Sequence, residues 1–118
     1  MIARGEVYLV DWSPARGSEQ SGMRPAVILQ NDVGNRFSST TIVAAISTRF
    51  RRPYPFHVAI RAAESGLPED SVVKLDQILT VDQGRLVRRV GVLPQERMRE
   101  VARAIHHSLD LTERGGVA

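Results

Sequence analysis

Apolar residues recur along this chain with a period near two for most of its length and near three and a half towards the C-terminus. Residues 6 to 12, EVYLVDW, alternate loosely and are rich in β-forming side chains, which predicts a strand. PAVILQ (25 to 30) is a continuous apolar run, short enough for a strand buried on both faces. TTIVAAIS (40 to 47) predicts a third strand, β-branched at its start, and FHVAI (56 to 60) a fourth with His57 and Ala59 on one side. SVVKLDQ (71 to 77) and LTV (79 to 81) read as two strands pairing in one curled sheet. VRRVGVL (87 to 93) reads as the last strand, with Gly91 placed for a bulge. From Pro94 the period changes. Met98, Val101, Ala102, Ile105 and Leu109 form one stripe on a helix that a proline opens without losing a hydrogen bond.

Between these elements the chain uses loop chemistry. SPARGSEQSG is ten residues long, more than a tight hairpin needs, and ordered loops of that length tend to be functional. NDVGNRFSS is turn-rich, with Asn31, Asp32, Gly34 and Asn35 all tolerant of unusual backbone angles. TRFRRPYP breaks the sheet with two prolines and exposes Arg49, Arg51 and Arg52 around Phe50 and Tyr54. RAAESGLPED is a connector with one helical turn ended by Gly66, and DQGRL is a turn. The expected architecture is one domain over residues 1 to 111, with 112 to 118 as a frayed tail. It is a mainly β, small, curled antiparallel barrel closed by a C-terminal α-helix. A chain of 118 residues buries about two-thirds of its unfolded surface, enough for one core without metal or disulfide support.

Composition narrows the chemistry. The chain has no cysteine, which excludes disulfides, thiol catalysis and cysteine zinc sites. The first twelve residues carry Glu6 and Asp11 and do not read as a signal peptide. No stretch approaches the roughly 18 uncharged residues that span a membrane, so a soluble, cytoplasmic protein is expected. Of 16 basic residues only Lys74 is lysine, and the planar fork of arginine suits phosphate better than a point charge does. Residues 1 to 61 hold eight arginines against Glu6, Asp11, Glu19 and Asp32, a balance of +4. Residues 62 to 118 balance at −1, so a polyanion site should draw on the first half.

Several mechanisms fail on inventory. HExxH, GxxxxGK[ST], GxGxxG after a strand and GxSxG are all absent. His106 and His107 sit on the helix, and His57 lies mid-strand, where a packed ring is commoner than a base. Glu69, Asp70 and Asp76 hold a metal only if folding gathers them, and a solvated turn is the simpler expectation, so no metal and no cofactor are assigned. What remains is a positioned arginine, hydroxyls at strand ends and loop amides. That inventory suits a phosphodiester, whose transition state needs charge stabilisation, and unstacked RNA bases read through their edges. RNA carries its own nucleophile, the 2′-hydroxyl.

The segments that carry these groups resemble a known family. RGEVYLVDWSPARGSEQSGMRPAVILQNDVGNRFSSTTIVAAIS is similar to the opening of the MazF/PemK toxins, and the similarity continues through HVAI, SVVKLDQILTVD and RRVGVL to the final helix. The resemblance implies an SH3-like barrel that forms a homodimer. It implies a sequence-specific endoribonuclease that cuts single-stranded RNA, mRNA above all, without a metal, leaving a 2′,3′-cyclic phosphate and a 5′-hydroxyl. It implies a cognate antitoxin of the MazE type with an acidic, disordered C-terminal segment. Position by position, the family's catalytic arginine falls on Arg24 and its second catalytic position, commonly threonine, on Ser47. Thr48 is adjacent, and strand alternation would put the two hydroxyls on opposite faces. The RNA-binding positions fall on Ser18, Glu19 and Gln20, on Asn31 and Asn35, and on Asp76 and Gln77. Thr48, Arg49, Arg51 and Arg52 join them, the arginines on charge alone.

Two other readings use the same fold. CcdB-like proteins poison gyrase and depend on a tryptophan near the C-terminus, whereas the only tryptophan here is Trp12. A non-cleaving RNA-binding module is the other, made thinkable by serine in place of threonine at position 47.

Overall fold

The structure, a computed structural model, describes residues 1–13, 22–49 and 54–111. Six strands form one antiparallel sheet: β1 (Glu6–Asp11), β2 (Met23–Ile28), β3 (Thr40–Ser47), β4 (His57–Ile60), β5 (Ser71–Asp82) and β6 (Leu86–Val92). Their order across the sheet is β4-β5-β3-β2-β1-β6. The sheet curls but its hydrogen-bonded ladder does not close, since β4 and β6 each have one neighbour. The expected barrel is thus an open curled sheet with a C-terminal helix. Three helices complete the described chain: α1 (Asp32–Phe37), α2 (Ala62–Ser65) and α3 (Gln95–Leu109).

The apolar residues fall into two clusters. Val7, Val27, Ala44, Ile46, Val58, Val73 and Leu75 form the larger, covered by Val101 and Ala104 of α3. Val10, Trp12, Ala26, Ile28, Val43 and Val81 form the second. Adjacent residues of β2 serve different clusters, as period-two alternation requires. On α3 the buried stripe runs through Val101 and Ala104, whereas Leu109 is exposed. Ser108 closes that face by donating its hydroxyl to the carbonyl of Leu75 at 2.5 Å.

Three expectations change. β2 begins at Met23 and ends at Ile28, so Arg24 joins Pro25 in the strand, which stops two residues short of the expected end. Pro25 lies opposite Leu9 of β1, while the ladder to β3 starts only at Ala26. The missing proline donor therefore sits where β2 has a single paired neighbour. The segment after β2 is a short helix, not a run of unusual backbone angles. Asn31 caps it by accepting from the amide of Gly34 at 2.7 Å, so the polar residues that suggest a turn act here as a helix start. Finally, β5 is one strand of 12 residues that carries an irregularity in the middle.

Two close approaches lock the ends of the sheet. Gly66 ends α2 in the left-handed region, at φ 82°, as the sequence suggested. A Cβ there would lie 2.3 Å from the carbonyl oxygen of Val90, and one on Gly91 would lie 2.3 Å from that of Ser65. The register between β1 and β6 shifts beside Gly91, where Val90 is skipped. Elsewhere, Arg97 of α3 reaches Glu64 of α2 at 3.1 Å and also pairs with Glu100. The amide of Arg61 and then the Arg97 guanidinium hold the Glu64 carboxyl below its usual range.

Trp12 ties β1 to β2 beyond the strand ends. Its amide donates to the carbonyl of Gly22 at 2.9 Å, and its indole Nε1 donates to the carbonyl of Arg24 at 3.2 Å. Two substitutions test these contacts by urea unfolding. Gly91→Ala is expected to cost about 2 kcal/mol, because the methyl meets backbone that cannot move aside. Unchanged stability would mean that α2 and β6 are not in tight contact. Trp12→Phe should cost about 1 kcal/mol, for one hydrogen bond, against about 3–5 kcal/mol for Trp12→Ala. Equal losses would show that the indole donor contributes nothing.

Candidate active site

The register of the central strands sets the site. Arg24 pairs with Val10 of β1. Between β2 and β3 the partners are Ile28 with Val43, Val27 with Ala44 and Ala26 with Ala45. Continuing that register two residues further sets Arg24 opposite Ser47, the last residue of β3. The tryptophan bond to the Arg24 carbonyl fixes the backbone from which this guanidinium springs.

Arg24 and Ser47 line one cavity of about 360 Å³. Leu9, Pro25, Ile46, Leu67, Pro68 and Val90 supply its apolar surface, and Arg88 and Glu69 bring further charge. Arg88 arrives through register as well, since it pairs with Leu9, which pairs with Pro25. An apolar lining strengthens any charge interaction made within it, because fewer water dipoles compete. Such a cavity, with a guanidinium opposite a hydroxyl, can grip an anionic tetrahedral group and donate hydrogen bonds to it.

The Ser47 hydroxyl oxygen accepts from the amide of Arg49 at 3.0 Å. One lone pair is thus engaged and the O–H remains able to donate. Thr48 lines the same cavity. The expected separation of the two hydroxyls onto opposite faces does not hold, because β3 ends at Ser47 and strand alternation ends with it.

The remaining predicted positions divide. Arg49 is exposed beyond β3. Asp76 and Gln77 fall at the irregularity of β5: the β3 neighbours Ala44 and Ala45 pair with Ile78 and Lys74, leaving residues 75 to 77 between. Asn31 is the helix cap already described. Asn35 requires a correction, because it is 2% exposed and cannot present its amide to an incoming base. It accepts from Thr41 Oγ1 at 2.7 Å and from Gln30 Nε2 at 3.1 Å, and donates to the Gln30 carbonyl at 2.9 Å. A buried amide bonded at both ends is a structural strut. Ser18, Glu19, Gln20, Arg51 and Arg52 lie outside the described residues, as does Phe50.

The acidic trio does not gather. Asp70 accepts from the amide of Ala62 at 2.8 Å, Asp76 lies 3.3 Å from His57 Nε2, and Glu69 lines the cavity. Among the described residues no group of three or more potential ligands could hold a metal ion. Arg88, Glu69 and Trp12 were not marked as site residues by their sequence pattern. Arg88 and Arg89 are adjacent in β6, and only cross-strand pairing separates them: Arg89 pairs with Glu6 at 3.0 Å.

Comparison with known proteins gives the family and the fold. Residues 3–109 match the family model of the PemK-like, MazF-like toxin of type II toxin-antitoxin systems. The chain is 49% identical over 112 residues to the endoribonuclease MazF of Staphylococcus saprophyticus, spanning 94% of this chain and 93% of that one. Among solved structures, the Mycobacterium tuberculosis toxin MazF-mt6 superposes with a TM-score of 0.78 at 26% identity, over 92% of this chain and 99% of that one. A mycobacterial endoribonuclease, solved with its cognate antitoxin, shares the fold with a TM-score of 0.81 at 24% identity, over 97% of this chain and 100% of that one. With a model match along almost its whole length and a relative of nearly half identical sequence, the chain belongs to the PemK-like, MazF-like toxins of type II toxin–antitoxin systems.

Proposed function

We propose that this toxin is a sequence-specific endoribonuclease whose cleavage is carried by Arg24 and Ser47 without a metal ion. The observation that carries the assignment is that Arg24 and Ser47 line one cavity, at the strand ends that the β2–β3 register, continued beyond Ala26, sets against each other. The substrate is single-stranded RNA, mRNA in particular. Its 2′-oxygen attacks the adjacent phosphorus and the bond from phosphorus to the 5′-oxygen breaks. A proton leaves the 2′-hydroxyl and one reaches the departing oxygen, giving a 2′,3′-cyclic phosphate and a 5′-hydroxyl.

The side chain of Arg24 is always protonated, so it clamps the non-bridging oxygens as charge builds on them and steadies the leaving oxygen. The Ser47 O–H supplies a second donor. Arg88 adds positive charge at the same cavity. Asp76, Gln77, Thr48 and Arg49 extend the surface on which bases and backbone lie, and Asn31 joins them on the family resemblance alone. Ser18, Glu19, Gln20, Arg51 and Arg52 belong to the same proposal by position in sequence alone.

A cognate antitoxin of the MazE type neutralises the toxin, its acidic segment competing with RNA for the arginine-bearing cavity. Two copies of the chain form a homodimer. No helix among the described residues is long and apolar enough to cross a membrane. The cytoplasm, where mRNA is found, is the compartment this reading assigns.

Single-turnover cleavage of a long, weakly structured RNA in EDTA tests the reading. Wild-type protein is expected to cut at one short motif, and Arg24→Ala to cut nothing. Arg24→Lys and Ser47→Ala should each lose about 100-fold while still binding RNA. Near-normal cleavage by Arg24→Lys would show that the forked geometry is irrelevant. Intact but bound RNA with wild-type protein would make this an RNA-binding module, and absence of binding would redirect attention to a protein target.

A further inference from the structure

The irregularity in β5 leaves Asp76 at a bend. Leu75 points the bend inward: it is fully buried, its amide donates to the Phe56 carbonyl at 2.9 Å, and its carbonyl accepts from Ser108. Asp76 points the other way, with 41% of its side chain exposed. An exposed carboxylate on a bend ordinarily samples several rotamers. Here one oxygen, Oδ1, lies 3.3 Å from His57 Nε2.

His57 is itself closely held. Its side chain is only 10% exposed. The ring packs edge-on against Tyr54, at 5.4 Å between centroids, and against Phe56, at 4.8 Å. Those two rings are stacked on each other at 5.0 Å. The other ring nitrogen, Nδ1, is buried and has no hydrogen-bond partner. Leaving an acceptor unpaired costs less than leaving a donor unpaired, and a carboxylate can only accept. The neutral ring therefore carries its proton on Nε2, aimed at Asp76.

We propose that His57 is a positioning residue for RNA specificity, holding the Asp76 carboxylate so that its free oxygen faces one incoming nucleobase. This rests on the reading of Asp76 as an RNA contact. A fixed carboxylate accepts hydrogen bonds and donates none, so it favours base edges that offer an amino group. Adenine, cytosine and guanine do so, whereas uracil presents two carbonyl oxygens around a single N–H. The recognised motif thus disfavours uracil at the position that meets Asp76, because its two carbonyl oxygens face the carboxylate on either side of the single N–H.

Sequencing the cut sites in a randomised RNA pool tests this with wild-type protein, Asp76→Asn, His57→Phe and His57→Gln. Asp76→Asn is expected to change the preference at one motif position. His57→Phe keeps a packed ring without the donor and should relax that same position about tenfold, with the loss on matched RNA appearing in KM more than in kcat. His57→Gln, which restores an N–H, should recover part of the discrimination. If Asp76→Asn shifts a position that His57→Phe leaves untouched, the positioning role is wrong and Asp76 remains an RNA contact. If Asp76→Asn shifts nothing, the base-reading role of Asp76 fails first and the inference with it. A uniform drop at every position with a lowered melting temperature for His57→Phe would make the histidine a packing residue only.

Discussion

Everything proposed for the site depends on the antiparallel register between β2 and β3. Side chains alternate with a period of two, so a slip of one residue would turn Arg24 to the other face and take it away from Ser47. The register is secured on both sides. Val27 and Ala44 enter one apolar cluster, while Ala26, Ile28 and Val43 enter the other. A slip would exchange core residues between two differently shaped clusters, and the helix-covered face would lose its complement. Burial on both faces of the sheet is what fixes the places of Arg24 and Ser47.

The walls of the cavity follow from a second constraint, the contact between α2 and β6. Gly66 and Gly91 let the two backbones meet at a distance that a side chain would forbid. Leu67, Pro68 and Glu69 come directly after Gly66 and face the cavity, so this contact sets how far they stand from Arg24. Arg24 is built on a central strand, whereas the wall across the cavity follows a short turn of helix that is held against β6.

How much of this could be read from the chain varies with the kind of signal. The third strand, the helical turn ended by Gly66 and the helix after Pro94 were legible because each rests on local chemistry: β-branching, a left-handed glycine, a proline start. Asn31 to Phe37 misled because asparagine, aspartate and glycine favour both turns and helix starts, and only the bond from Gly34 to Asn31 separates the two. β5 reads as two strands, 71 to 77 and 79 to 81, whereas the structure runs one strand through the break and carries its irregularity at residues 75 to 77. Asn35 looks like a surface amide in sequence, and its burial depends on Thr41 and Gln30, which meet it only after folding. Arg24 and Ser47 were marked by family resemblance, while Arg88 and the His57–Asp76 pair arise from cross-strand neighbours that no single segment encodes.

The central claim is chemical: the protein supplies charge and hydrogen bonds, and the RNA supplies the nucleophile. The most direct measurement uses an oligoribonucleotide containing the recognised motif, with a single 2′-deoxy substitution at the nucleotide whose 2′-oxygen would attack. That substitution leaves the scissile phosphate and the base edges intact. The expected result is normal binding with no cleavage at that position. Cleavage there, giving a linear phosphate end, would show that water or a protein group is the attacking species, and the roles given to Arg24 and Ser47 would have to be rebuilt around it.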